Sequence, residues 1–240
     1  VSIDNEVSAV NSIHEALLYA DGQLVRLKDK IVTAGTSEIG DGFYIEEADR
    51  SAGMRVESSR SSLLIGDRVN VYGRVQTAFG GSRPLERFIA QPTIERVSYG
   101  QPIRPLGLLC REVGGSSEGH LPGIPGMKNL NNCGLLVSVI GRVGAVNTGE
   151  AVVNDGSCDP ADSTRPGLKL TLPGKAVCLE VGDVISAQGV VSSYVDGGTG
   201  RISPCVKMGA WTDVRLLETS SGSGAVVGLV RKTDGSPIVG

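Results

Sequence analysis

The sequence contains the same five-strand pattern twice, and this internal repeat constrains the fold more than any other feature. The anchor of the first copy is Ile65-Gly66-Asp67, and the anchor of the second is Val181-Gly182-Asp183. In each copy another glycine follows six residues after the aspartate. Self-similarity on this scale is typical of duplicated domains. The sequence therefore predicts two small domains of one architecture, although it does not identify a ligand.

The composition fits many short strands joined by tight turns. The 240 residues include 34 glycines, and only 4% are aromatic, yet 40% are hydrophobic, which is too many for a disordered chain. The formal net charge of −3 gives no long-range attraction for phosphate backbones or anionic lipid. No segment approaches the length of apolar sequence that crosses a bilayer, so no membrane span is predicted.

Hydrophobic periodicity predicts the secondary structure. In the first copy, Val69, Val71 and Val75 alternate with other residues, as expected of a half-buried strand. Ahead of it, residues 7–17 place apolar side chains three and four positions apart, which predicts a short helix capped by Asp4 or Ser8. The predicted fold class is mainly β, with a short N-terminal helix and an extra strand near the C-terminus.

The order of strands and turns resembles the oligonucleotide/oligosaccharide-binding fold (OB fold), a five-stranded Greek-key barrel. Residues 44–56 (YIEEADRSAGMRV) match the family's second strand, turn and third strand, and residues 65–75 (IGDRVNVYGRV) match the start of its fourth strand. The version it is most similar to occurs in nucleic-acid-binding anticodon-type domains and in secreted bacterial multidomain proteins. The second copy departs from the pattern in a longer turn within residues 152–170. The resemblance implies two OB-type barrels in tandem.

Together, the repeat and the resemblance divide the chain into four parts. Residues 1–98 are the helix and first barrel, 99–128 an ordered connector rich in Gly and Pro, 129–218 the second barrel, and 219–240 a spacer and a terminal strand. The end of the chain resembles the first strand of an Ig-like, carboxypeptidase regulatory-like module. A single strand cannot bury its own face, so we expect it to pair elsewhere. Its apolar residues are Val226, Val227, Leu229 and Val230.

In OB folds the ligand lies on the second and third strands and on two adjoining loops. In the first copy this face is expected to carry Tyr44, Glu46 and Arg55, with Arg50 in the turn. In the second copy Trp211 is a further candidate. Single-stranded nucleic acid needs aromatic side chains in a positive groove, and this face is poor in aromatics and rich in carboxylates.

No catalytic constellation is evident in the sequence. Gly115, Ser117 and Gly119 have the spacing of a nucleophile elbow, but they lie in a Gly/Pro-rich loop and not between a strand and a helix. One acidic turn of the second copy is either a Ca²⁺ site or a solvated turn. Its aspartates are Asp155, Asp159 and Asp162. We expect no cofactor and no enzymatic activity.

The five cysteines all lie outside the first copy. Two disulfides and one remaining thiol are the favoured arrangement, with Cys110 and Cys133 placed to staple the connector. Five buried thiols are the alternative, because no spacing here is diagnostic. The disulfide candidates are Cys110, Cys133, Cys158, Cys178 and Cys205.

These features favour a non-enzymatic structural or adhesive protein that is extracellular or at the cell surface. Its expected partners are other copies of itself or neighbouring extracellular domains. The terminal strand allows head-to-tail assembly, and contacts of that kind form filaments when they do not close. The alternative is an OB-fold nucleic-acid- or glycan-binding module of a larger secreted hydrolase or nuclease.

Overall fold

The computed structural model describes residues 10, 12–35, 39, 42–58, 62–158, 166–172, 179–209 and 213–220. Within these ranges the chain forms two β-barrels joined by an ordered connector. No helix in the described ranges combines the length and the apolar character needed to cross a bilayer.

The first barrel is built from five strands of the first sequence copy. They are β1 (Leu24–Ala34), β2 (Gly42–Glu46), β3 (Gly53–Glu57), β4 (Arg68–Gly80) and β5 (Arg83–Ser98). The sheet closes in the order β1-β2-β3-β5-β4, and β3 runs parallel to β5 while the other neighbours are antiparallel. Alternate side chains of β4 point into the core, as the sequence pattern predicts.

A short helix, α1 (Ile13–Leu17), packs on this barrel and begins later than predicted. Its N-cap is Ser12, whose Oγ accepts a hydrogen bond from the Glu15 amide at 3.1 Å. Val10 is buried but not helical, so the prediction of a helix from residue 7 is wrong at that position. The proposed caps Asp4 and Ser8 lie outside the described residues.

The connector packs on both barrels. It contains a two-residue strand, β6 (Leu106–Gly107), and a turn of 3₁₀ helix (Cys110–Glu112). Val113 belongs to the core cluster of the second barrel, whereas Leu121 belongs to that of the first. Because its apolar side chains are divided between the two cores, the connector holds the barrels in one mutual orientation.

The second barrel repeats the topology of the first. Its strands are β7 (Leu136–Asn147), β8 (Glu150–Asn154), β9 (Leu168–Thr171), β10 (Val184–Val195) and β11 (Ile202–Lys207), followed by β12 (Val214–Glu218). The order is β7-β8-β9-β11-β10, β10 pairs back with β7, and β9 runs parallel to β11. β11, the fifth strand of this barrel, pairs with the second half of β10, and β12 continues it by pairing with the first half. Each barrel is an OB fold, which confirms the predicted fold class.

The Gly-Asp anchors form the same turn in both barrels. Gly66 and Gly182 have φ of +95° and +102°, a backbone conformation that favours glycine. Each aspartate is buried, and its Oδ2 accepts a backbone hydrogen bond from the residue three positions earlier, at 2.9 Å for Asp67 and 2.8 Å for Asp183. Its carbonyl accepts from β1 or β7, through the amide of Val32 or Val143. The repeated Gly-Asp sequence therefore produces the same hydrogen-bonded turn in both barrels.

The cysteines do not form the expected staple. Among the described residues, Cys110, Cys133, Cys158 and Cys205 are buried thiols, so the predicted Cys110–Cys133 disulfide is wrong. Cys110 and Cys158 lie in the core cluster of the second barrel, where the sulfur acts as a small apolar group. Cys178 lies outside the described residues.

Candidate binding surface at the seam between the barrels

The face of the first barrel that was expected to bind a ligand is covered by the second barrel. Tyr44 and Glu46 have no exposed surface, and Arg55 is 7% exposed. We call this contact the inter-barrel seam. It is formed by Tyr44, Glu46, Arg55 and Glu86 of the first barrel and by Leu136, Val190, Ser192 and Lys207 of the second. The prediction of an open ligand face on β2 and β3 is therefore wrong.

Glu46 and Arg50 act as a structural clamp. The Glu46 carboxylate accepts a hydrogen bond from the Leu136 amide and pairs with Arg50 Nε at 2.9 Å. Arg50 also donates to the carbonyl oxygens of Leu136, at 2.7 Å, and of Arg104 in the connector. Burial raises the pKa of Glu46, while these partners oppose the shift. Both residues were predicted to face a ligand, yet they join the first barrel to the second.

Glu86 organises the centre of the seam. One carboxylate oxygen lies 2.7 Å from Arg55 Nε, and the other accepts hydrogen bonds from the hydroxyls of Tyr44 and Ser192, both at 2.9 Å. Lys207 Nζ lies 3.7 Å from the same carboxylate. Burial raises the pKa of Tyr44 well above its usual value, and the nearby Glu86 charge adds to the effect. Because a buried charge needs such partners, this cluster requires both barrels.

Two glycines allow the barrel backbones to touch. A Cβ atom on Gly134 would lie 2.5 Å from both the carbonyl carbon and the oxygen of Gly53, and a Cβ on Gly53 would lie 2.5 Å from the Gly134 carbonyl carbon. A little further along, Ser193 Oγ donates to the Leu85 carbonyl at 2.8 Å, so β10 lies along β5. The two barrels are therefore in direct backbone contact at Gly53 and Gly134 and in hydrogen-bond contact at Leu85 and Ser193.

The second barrel keeps part of the corresponding face open. On β10 and β11, the pairs Val190–Lys207, Ser192–Cys205 and Tyr194–Ser203 lie side by side, and residues of alternate positions share a face. The first barrel covers this face only as far as Ser192, which is fully buried, whereas Tyr194 is half-buried. We call the half-buried remainder the open face. It consists of Glu150, Val152, Lys169, Thr171, Tyr194 and Ser203.

Cations lie over aromatic rings along the seam and the open face. The Lys169 ammonium is 4.1 Å from the centroid of Tyr194, and the Arg55 guanidinium is 4.5 Å from that of Phe88. Lys207 lies 5.9 Å from the centroid of Tyr44. Aromatic rings can stack on bases, and the adjacent cations can contact phosphates. Of these pairs, Lys169 and Tyr194 lie on the open face.

Sequence reasoning only partly found this surface. It named Trp211 as a candidate in the second copy, and the sequence alone did not bring Lys169 and Tyr194 together. Tyr194 on β10 pairs with Ser203 on β11. β11 in turn lies beside β9, which carries Lys169. Glu86 and Phe88 were missed, although their spacing of two on β5 places them on one face.

Of the aspartates proposed for the acidic turn, the structure describes Asp155. Asp155 Oδ2 accepts a hydrogen bond from the Cys110 amide and Oδ1 from the Ser157 amide, both at 2.9 Å, so its oxygens stabilise the turn. No group of three or more metal-ligating side chains occurs in the part of the chain that the structure describes. Asp159, Asp162 and Trp211 lie outside that part, so their predicted roles stay predictions.

Comparisons with known proteins identify no family for this chain. No family model matches the sequence, and no curated protein matches it. One similar solved structure is a murine DNA-binding protein bound to double-stranded DNA, with 9% identity, a TM-score of 0.36, and coverage of 76% of this chain and 90% of that one. Another is the Ifi202 HINa domain in complex with 20-bp double-stranded DNA, with 12% identity, a TM-score of 0.34, and coverage of 83% and 97%. At this level the likeness carries no functional argument, and the OB assignment rests on the strand topology above.

Proposed function

We propose that this protein is a non-enzymatic binding module that holds single-stranded nucleic acid on the open face of its second barrel. The observation that carries the proposal is the position of Lys169 over the Tyr194 ring. Lys169 is on the third strand of this barrel, and Tyr194 is at the end of the fourth strand, beside the loop to the fifth. OB folds use the second and third strands and the loops next to them for ligands. In this scheme the first barrel is a scaffold, because its own ligand face is buried in the inter-barrel seam.

The chemistry of the open face supports a single strand. Tyr194 offers a ring for one base, and Thr171 and Ser203 are polar neighbours on the same face. A base can reach such a ring only when it is unpaired. The chain's net charge of −3 supplies no steering toward phosphate, so binding depends on local contacts such as Lys169. We therefore expect modest affinity that is sensitive to salt.

The alternative of an extracellular structural or adhesive protein stays a prediction. Its assembly strand, residues 226–230, lies outside the described residues. Extracellular localisation and the carboxypeptidase regulatory-like resemblance likewise stay predictions. A glycan on the open face is a competing outcome of the experiment below.

Replacing Tyr194 with Ala is expected to weaken binding of a labelled oligothymidylate by roughly 5- to 150-fold, the usual effect of losing one base–aromatic stack. Lys169→Ala is expected to weaken it too and to flatten the salt dependence by about 0.7 in the log–log slope, as for one lost phosphate contact. Fluorescence anisotropy over a salt series measures both effects.

The matched controls are Tyr99→Ala and Lys128→Ala, which remove an exposed aromatic and an exposed cation away from the open face. Both should bind as the parent does. The proposal would be refuted if the anisotropy measured with every single-stranded DNA and RNA tested did not depend on salt. Losses of affinity in the controls equal to those in Tyr194→Ala and Lys169→Ala would also refute it. Retention on insoluble polysaccharide that requires Tyr194 would favour a glycan in its place.

Glu150 is expected to act against the ligand. Its carboxylate pairs with Lys169 Nζ and so competes with phosphate for the same ammonium group. Because this pair is partly exposed, its removal by Glu150→Gln should tighten binding by roughly 2- to 5-fold. The same titration measures the effect. Weaker binding by this variant would mean that Glu150 holds Lys169 in its productive position.

A further inference from the structure

The outer face of the first barrel carries a concave surface that shares no residue with the inter-barrel seam. Its cavity of about 300 Å³ is lined by Arg26, Asn70, Val71, Tyr72, Thr93 and Glu95. This volume is at the lower end of the range for small-molecule sites. Arg26, Tyr72 and Thr93 lie side by side across β1, β4 and β5, and Asn70 lies beside Glu95. We call this surface the Tyr72 pocket.

Two irregular backbone positions border the Tyr72 pocket. Asp29 and Gln91 are non-glycine residues with φ of +55° and +49°. The register of β1 against β4 shifts between Leu27 and Lys30, and that of β4 against β5 shifts between Tyr72 and Arg74. Such bulges re-aim side chains, and residues in this backbone region are costly and cluster at functional sites. The strained residues and the bulges therefore lie at positions where they shape this face.

Hydrogen bonds fix the polar wall of the pocket in advance. The Asn70 Oδ1 atom accepts from the Asp29 amide at 3.0 Å, and its Nδ2 atom donates to Glu95 Oε2 at 2.9 Å. The strained residue Asp29 therefore orients Asn70, which in turn orients Glu95. Side chains held in this way lose little conformational entropy when a ligand binds.

We propose that the Tyr72 pocket binds a neutral saccharide ring. A half-buried aromatic ring at the centre offers a platform for the apolar face of a sugar. Around it, the carboxylate of Glu95, the amide of Asn70 and the guanidinium of Arg26 are planar groups that can pair with adjacent hydroxyls. Arg26 and Glu95 carry opposite charges, so the pocket has no net charge that would select a phosphate or a cationic ligand. Neither the pocket nor its proposed ligand depends on the open face of the second barrel.

The test is saturation-transfer NMR of the whole chain with neutral tetrasaccharides of glucose, mannose, galactose and N-acetylglucosamine. The expected result is transfer to at least one of them, lost in Tyr72→Ala and kept in Tyr72→Phe. Glu95→Gln should weaken binding by roughly 10- to 100-fold, as expected for loss of a hydrogen bond to a charged group. The control Tyr194→Ala should leave the signal unchanged.

Glu95 is exposed, so its variant keeps the test valid if Tyr72→Ala fails to fold. Absence of transfer from every sugar to the folded parent would overturn the proposal. Transfer that survives in both Tyr72→Ala and Glu95→Gln, or that disappears in Tyr194→Ala, would also overturn it. Because the nucleic-acid titration uses other residues, either proposal can fail while the other stands.

Discussion

Replacing Gly53 with Ala is expected to lower the free energy of unfolding by about 3 kcal/mol, the usual order for a group forced into a filled space. The new methyl group would meet the backbone of Gly134 across the inter-barrel seam. A backbone carbonyl cannot rotate away as a side chain can, so the barrels themselves have to move apart. For a chain of this size such a loss corresponds to a fall of roughly 6 to 12 °C in the melting temperature.

Differential scanning calorimetry and denaturant titration measure this change. The matched control is Gly107→Ala, because a Cβ on Gly107 meets nothing within 4 Å. The control should melt within a degree or two of the parent, since a surface substitution of this kind changes stability by only about 0.5 kcal/mol or less. A Gly53→Ala protein as stable as the control would show that the seam does not have the close backbone contact described here.

The second large effect is a loss of stability in alkaline solution. Burial raises the pKa of the Cys110 and Cys133 thiols from 9.0 to about 12 and that of Cys205 to about 11. Above pH 9 the unfolded chain releases these protons while the folded chain retains them. The unfolded state then binds fewer protons, so the free energy of unfolding falls as pH rises from 9 toward 11.

The expected slope is steep. Each thiol multiplies the unfolding equilibrium constant by up to about ten per pH unit in this window, and by less close to either pKa, so three thiols together give at most about a thousandfold per unit. Urea titrations at closely spaced pH values, under a non-thiol reductant, measure it. Cys133→Ala should be less stable throughout, yet its pH slope should be smaller by about one third. An unfolding free energy that stays constant from pH 9 to 11 would contradict the burial of these thiols.

Local sequence signals predicted the barrels well. Gly66 and Gly182 need a backbone that glycine favours, and Asp67 and Asp183 bond amides three residues away, so all the partners lie within a few positions. The alternation along β4 is equally local. These features can be predicted from the sequence because the residues that interact lie within a few positions of one another in the chain.

The seam could not be predicted in the same way. Glu46 and Arg55 look like solvent-facing residues of half-buried strands, and only the docking of a second barrel makes them buried. Glu46 lies 90 residues from its partner Leu136 in the sequence, and Glu86, which pairs with Arg55, lies 106 residues from its partner Ser192. The cysteine arrangement failed for a related reason, since spacing does not tell a buried apolar thiol from a disulfide.

The clamp between Glu46 and Leu136 also sets an order of events in a chain growing from its N-terminus. The first barrel is complete once Ser98 has emerged, while Ser192 and Lys207 are still to be synthesised. Until then the carboxylates of Glu46 and Glu86 remain hydrated, and that water has to be stripped away when the second barrel arrives. Docking is thus a late and demanding event, and a nascent chain that stalls between the two barrels would display a surface of paired charges which the finished molecule never shows.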